Sequence, residues 1–255
     1  MIEAFGRTDV GRRRKVNEDS FLVAPASHLY AVCDGMGGHN AGEVASRIAI
    51  ETLGDFVERS GVEKEITWPW GLESDISVEA NRLKTAVRLA NSQVFQTADS
   101  REELTGMGTT VVAALVSANV LTLCSAGDSR CYLARDGELR QLTEDDSWVS
   151  AALGEGILNS DDVERHPLRN VITKAVGARD SIDLDVFDLS MEPGDLALHC
   201  SDGLHGMVSD EDISRLILSD PDSLEEASKR LVDAAYEAGG RDNVTVVLLR
   251  YTEGS

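Results

Sequence analysis

Positive charge and cysteine are both scarce in this sequence. Of 255 residues, 24 are Lys or Arg against 45 Asp or Glu, a formal charge of −21. That balance excludes a non-specific nucleic-acid binder and a protein docked on anionic membrane, since both need a positive field. The four cysteines, Cys33, Cys124, Cys131 and Cys200, are too few and too scattered for a disulfide framework. No C-x-x-C occurs, so a thiolate zinc site lacks its ligand set. Each cysteine lies in or beside an apolar run and reads as a reduced, small hydrophobe. The 22 glycines and five prolines exclude a collagen-like or low-complexity chain. The first residues, Met1 to Arg7, lack the apolar core of a signal peptide. Residues 105–127 carry no charge and are long enough to span a membrane. Yet they hold Gly106, Gly108, Thr109, Thr110, Ser117, Asn119, Thr122 and Ser125, and Ser117-Ala118-Asn119 reads as a turn. A buried hairpin is the expectation there, and the cytoplasm is the expected location.

What is present is a core-forming chain, 42% hydrophobic, long enough for one large domain or two small ones. Helical spacing marks residues 41–60, through Ala41, Ala45, Ile48, Ala49, Thr52, Leu53 and Phe56. It recurs over about 77–98, and again from Leu224 to Ala238, with Asp222 and Ser223 as start signals and Gly239-Gly240 as the stop. Strand-like runs fall at 20–24, 29–33, 109–117, 120–126, 130–135, 139–143, 183–190, 195–201 and 243–251. Asp136-Gly137 is a hairpin turn. This order predicts an α+β protein of antiparallel sheets with helices packed outside. Residues 61–76 and 145–175 look less regular, the second as a small surface subdomain.

Acids then fall at telling places. Asp34-Gly35 ends the apolar run from Leu29, and Asp202-Gly203 ends the run from Leu196; a helix follows each. Asp242 precedes the last strand, and Glu18-Asp19 precede the strand at 20–24. For any one of these, a turn or helix cap is the plainer reading. Together, rigid acids at strand ends repel one another unless cations neutralise them. Hard oxygen ligands select Mg²⁺ or Mn²⁺. Two such ions acidify a water and aim it at phosphorus. Arg12-Arg13-Arg14-Lys15 concentrates four of the basic residues just before Glu18. A planar guanidinium beside such a centre suits phosphate oxygens.

With these residues in view, the sequence resembles the metal-dependent serine/threonine protein phosphatases of the protein phosphatase 2C type, in their bacterial single-domain form. The matching segments run from Thr8 to Val244: Thr8-Asp9-Val10-Gly11, Arg14, Asn17-Glu18-Asp19, Asp34-Gly35-Met36-Gly37-Gly38-His39 and Gly108-Thr109-Thr110. Gly127-Asp128-Ser129-Arg130, Leu142-Thr143, Asn170 with Ile172-Thr173, Ser201-Asp202-Gly203-Leu204 and Asp242-Asn243 follow in order. The resemblance implies a central sandwich of two antiparallel sheets, flanked by helices on both sides in α-β-β-α layers. It implies one phosphatase domain over 1–255 with a flap at about 145–175. It implies two Mn²⁺ or Mg²⁺ ions, and a third, weaker one. Asp34 would bridge the pair, Glu18 and the Gly35 carbonyl would complete one ion, and Asp202 and Asp242 would bind the other. Asp128 would help hold the third. Arg14 matches the phosphate-binding arginine.

Two positions depart from the family pattern. Many members carry histidine, as general acid, where this chain has Met36, whose thioether has no proton to give. His39 is a nearby stand-in, set evenly against capping or packing at the start of the helix at 41–60. Asp146 stands where a histidine is common after Leu-Thr-x-Asp. His166 reads as holding the flap, His199 and His205 as structural, and the Trp68-Pro69-Trp70 loop as packed on the body. The implied reaction is hydrolysis of phosphoserine and phosphothreonine, without a covalent intermediate, by a metal-bridging hydroxide. The implied partners are phosphoproteins, including a serine/threonine kinase and its targets; a monomer is expected. The alternatives are a phosphoprotein-binding pseudophosphatase, whose mark would be lost ligands, and a metal-dependent phosphatase of small phosphate esters.

Overall fold

The computed structural model describes residues 1–38, 41–63, 66–159, 162, 166–219 and 223–253. Among these residues, ten strands make two antiparallel sheets, with an eleventh at the margin of one of them. One sheet runs β1 (Ile2–Asp9), β11 (Val244–Tyr251), β10 (Leu196–Cys200), β7 (Arg130–Arg135) and β8 (Glu138–Gln141). The other runs β2 (Asp19–Ala24), β3 (Leu29–Met36), β5 (Val111–Ser117), β6 (Val120–Ala126) and β9 (Val186–Ser190). The short β4 (Gly108–Thr109) pairs with the end of β3. Helices α1 (Ala41–Val62) and α2 (Val78–Ser100) cover the second sheet, and α4 (Asp202–His205), α5 (Asp210–Leu218) and α6 (Leu224–Glu237) cover the first.

The layering explains why the central strands read as unbroken apolar runs rather than alternations. A sheet covered on both faces buries odd and even residues alike. In β3, Leu29, Ala31 and Cys33 face α1 and α2, while Tyr30 and Val32 face the other sheet. In β10, Leu196, Leu198 and Cys200 face the helices and Ala197 faces the sandwich interior. The α-β-β-α order expected from the sequence is the order found. All four cysteines are free and buried. The uncharged stretch is the β5–β6 hairpin, turned at Ala118 with φ 53°. No described helix is long and apolar enough to cross a membrane.

Helix starts follow their caps. Ser77 and Ser223 each accept a hydrogen bond from a backbone N–H one turn on. Asp222, the other expected start signal, lies outside the described residues. Asp136 and Gly137 both have positive φ, as a two-residue hairpin turn requires. Trp68 packs edge-on against Phe56, ring centroids 5.7 Å apart, so that half of the tryptophan loop is seated on the core; Trp70 stays half exposed. Strand β1 and helix α3 (Trp148–Gly154) lie outside the sequence expectation. Strand β1 is an edge strand carrying Glu3, Arg7 and Asp9, so its pattern is diluted; only its register against β11 makes it a strand. The run at 109–117 is broken at Thr110, between β4 and β5.

Candidate active site

Antiparallel pairing sends the start of every second strand and the end of its neighbours to one rim. That rim gathers the acids. Glu18 and Asp19 stand where β2 begins, Asp34 near the end of β3, Asp128 between β6 and β7, Asp202 after β10 and Asp242 before β11. Arg14, Glu18, Asp34, Gly35, Asp128, Asp202 and Asp242 line one open cleft of about 370 Å³. Every expected site residue that the structure describes is therefore in one place; His39 lies outside the described residues. Met36 lines the cleft too, as do Thr110, Asn170 and Ile172.

The acids are held by backbone clamps. Asp34 donates its N–H to Thr110 Oγ1 at 2.9 Å, and its carbonyl accepts from the Thr110 N–H at 2.8 Å and the Thr109 hydroxyl at 2.9 Å. The break between β4 and β5 is what frees Thr110 for this. A Cβ on Gly35 would meet the Gly42 carbonyl oxygen at 2.0 Å, so only glycine lets β3 approach the start of α1. A Cβ on Gly203 would stand 1.8 Å from the Asn243 carbonyl oxygen, so the Asp202 turn and the Asp242 loop touch only through glycine. Asn243 accepts from the Glu18 N–H at 2.8 Å and donates to the carbonyls of Val10 and Val16, each at 3.0 Å. A ring nitrogen of His205 donates to the Asp128 carbonyl at 3.0 Å, a positioning contact that the sequence did not suggest.

Asp19 is the rim acid that the sequence left without a role. It lies directly opposite Asp34 in the β2–β3 register. Its Oδ2 accepts from the hydroxyls of Ser201 at 2.8 Å and Thr245 at 2.6 Å, both on the other sheet. Among the described residues its buried Oδ1 finds no partner. Only the register reveals it, because in sequence it is one more acid beside Glu18.

The electrostatics are strained. Burial, then Asp19, Asp202, Asp128 and Asp242, hold the Asp34 carboxyl well above the usual carboxylate range. Burial and then Asp202 push Asp128 up to about 7. Burial is also the first cause of the upward shifts at Asp19, Asp202 and Glu18. Among the described residues Arg14 is the single basic side chain lining the cleft; it bonds Asp242 at 2.7 Å and stands 3.8 Å from Glu18. One guanidinium cannot neutralise this set. Divalent cations can, and an all-oxygen donor set suits Mg²⁺ or Mn²⁺. The buried, unpartnered Asp19 Oδ1 points the same way, since such an atom is costly without a partner. Among the described residues no three acids, histidines or cysteines close around one point by themselves. An ion here would therefore keep water in its shell, as both metals do.

Residues 145–175 border the cleft through Asn170 and Ile172. Their base is pinned by Arg130, which grips both oxygens of Asp145 at 2.9 and 2.7 Å. Asp146 pairs with Lys174 at 3.0 Å and accepts from the Gly127 N–H at 3.1 Å, an anchoring role at the position where a histidine is common. His166 stacks on Trp148 at 4.6 Å. That contact fits its expected task of holding the segment.

Comparison with known proteins agrees with this geometry. Residues 10–240 match the family model described as protein phosphatase 2C. The serine/threonine phosphatase stp of Listeria welshimeri is 36% identical over 250 residues, covering 95% of this chain and 93% of that one. The crystal structure of the Mycobacterium tuberculosis serine/threonine phosphatase PstP/Ppp superposes with a TM-score of 0.86 at 36% identity, covering 99% of each chain. The catalytic domain of PstP in complex with two manganese ions gives 0.84 at 35% identity, again over 99% of each. Motif order, layer order and the acid-lined rim thus converge, and the chain belongs to the protein phosphatase 2C family.

Proposed function

We propose that this chain is a metal-dependent protein phosphatase that hydrolyses phosphoserine and phosphothreonine. The observation that carries the reading is the cleft itself: five acids from the rims of both sheets, with Arg14 at its edge. The PstP relative in complex with two manganese ions supports Mn²⁺ as cofactor, with two ions at the core, and the all-oxygen donor set suits Mg²⁺ as well. Asp34 would serve both ions. Glu18 and the Gly35 carbonyl would hold one, Asp202 and Asp242 the other, and Asp128 a third, weaker ion. Bound divalent ions supply a water acidified toward neutrality and positive charge for the phosphoryl oxygens.

The chain's own residues do the rest. Arg14 turns its fork to two phosphate oxygens and fixes the phosphorus for in-line attack. Asp19, locked by Ser201 and Thr245, holds its free Oδ1 as an acceptor for a water of the site. Met36 has no proton to donate, so the leaving alkoxide takes its proton from another source. The chain acts as one domain, with 145–175 as a flap whose Asn170 and Ile172 help frame the substrate. The reading extends to phosphoprotein substrates that include a serine/threonine kinase and its targets, to a monomer and to the cytoplasm.

The test compares turnover of a phosphothreonine peptide, an aryl phosphate and a sugar phosphate with Mn²⁺, with Mg²⁺ and with chelator, on wild type and Asp202→Ala. Metal-dependent turnover of the peptide, lost in the variant, is the expected result. Preference for the sugar phosphate would make the chain a small-ester phosphatase. Peptide binding without turnover under either metal would make it a pseudophosphatase.

A further inference from the structure

Arg14 accounts for one member of the Arg12-Arg13-Arg14-Lys15 run. The other three need a reason to sit beside an acidic centre in a chain of charge −21. All are exposed, as is Arg241. The two loops that carry them are tied together: the Arg12 and Arg13 N–H groups both donate to the Gly240 carbonyl, at 2.7 and 3.2 Å. Arg12 also lies over the Tyr236 ring at 4.2 Å. Arg13, Lys15 and Arg241 have no acid partner among the described residues. Since Arg14 bonds Asp242, this cationic ledge lies on the Asp242 side of the cleft.

We propose that this ledge, built on Arg13, Lys15 and Arg241 with Arg12 as its brace, binds a second oxyanion of the substrate. That group is a carboxylate or a further phosphate on a residue close to the one being dephosphorylated. The proposal rests on the protein-phosphatase reading and names its substrate class: peptides with clustered acidic or phosphorylated residues. The net charge of −21 does not oppose this. At physiological salt, exposed charges are screened beyond about 8 Å, so an approaching peptide feels the ledge rather than the whole surface. Exposed ion pairs of this kind contribute about two- to fivefold each in affinity. The ledge thus sorts substrates and leaves the chemistry to the cleft.

The experiment uses short phosphothreonine peptides with neutral flanks, with Asp flanks on either side, and with a second phosphoserine. The value of kcat/KM with Mn²⁺ is measured alongside that for an aryl phosphate, on wild type and Arg13→Ser/Lys15→Ser. Wild type is expected to favour the acidic peptides by about two- to fivefold per added charge, and less so at high salt. The double variant loses that preference with its aryl phosphate turnover unchanged, and Arg13→Glu/Lys15→Glu reverses it. The Asp flanks and the second phosphate tell the two oxyanion sources apart. Equal kcat/KM on all peptides in wild type, or a preference that survives in the double variant, overturns the ledge. Fluorescence anisotropy of the same peptides on Asp202→Ala reads the ledge without turnover. An inert wild type therefore overturns the phosphatase reading, while equal binding of all peptides overturns the ledge.

Discussion

Asp19, buried, and Asp34, half-buried at the cleft, face each other directly across β2 and β3, at a position where cross-strand partners touch. Like charges opposite one another destabilise a sheet. Their persistence at the rim makes sense if the folded, working state supplies positive charge between the two sheets. Asp19→Asn separates the two effects. The metal-free variant is expected to melt no lower than wild type, since it loses the repulsion. Its Mn²⁺ affinity and its turnover are expected to fall by about 10- to 100-fold, the usual effect of losing a group that orients a metal's surroundings. Thermal melts with and without Mn²⁺ check the first point, and titration and kinetics the second.

The raised carboxyl groups give metal binding a definite pH dependence. Asp128 sits at about 7, and Asp19, Asp34 and Asp202 are also shifted up. A group whose folded pKa exceeds its unfolded value stabilises the native state below the unfolded pKa and loses that contribution as pH rises through the folded one. Metal-free stability is therefore expected to decline between about pH 4 and 7 on account of these groups. Mn²⁺ must displace their protons, so its stabilising effect grows over the same window, by up to about tenfold in affinity per pH unit for each proton displaced. Melting scans across that range, with and without Mn²⁺, test the sign.

Arg14 binds phosphate in both the ground and the transition state, so Arg14→Ala is expected chiefly to raise KM. Steady-state kinetics on an aryl phosphate decide it. A collapse of kcat with KM unchanged would assign Arg14 to the transition state alone.

His199 supplies an opposite pH effect away from the cleft. It is fully buried in β10, and burial pushes its pKa down to about 4. A histidine with a depressed folded pKa stays neutral in the native state while the unfolded chain takes up the proton. Its share of stability is intact above about pH 6.5 and is lost as pH falls toward 4, at up to about 1.4 kcal/mol per pH unit. His199→Leu is expected to flatten the acid side of the stability curve, read by urea melts at several pH values.

Much of this was legible in the residues. Small and apolar spacing gave α1, α2 and α6, and Asp-Gly at the ends of apolar runs gave Asp34 and Asp202. Other features depend on what the chain meets in space. Edge strand β1 is specified by its register with β11 rather than by its own pattern. Asp19 becomes distinctive only opposite Asp34 and between the hydroxyls of Ser201 and Thr245, 182 and 226 residues away in sequence. The roles of His205 beneath Asp128 and of Asp146 against Lys174 are likewise contacts between distant segments.

The most direct test of the metal centre is a single sample series in which bound Mn²⁺ is counted and phosphothreonine-peptide turnover is measured, on wild type and Asp34→Asn. Wild type should bind two ions at the core, lose activity with chelator and regain it with Mn²⁺. Asp34→Asn should fail to hold the pair, with turnover down by about a thousandfold, the scale of losing a charge-stabilising group at a reacting centre. Chelator-resistant turnover in wild type, or Asp34→Asn with wild-type turnover, would contradict a metal centre built on Asp34.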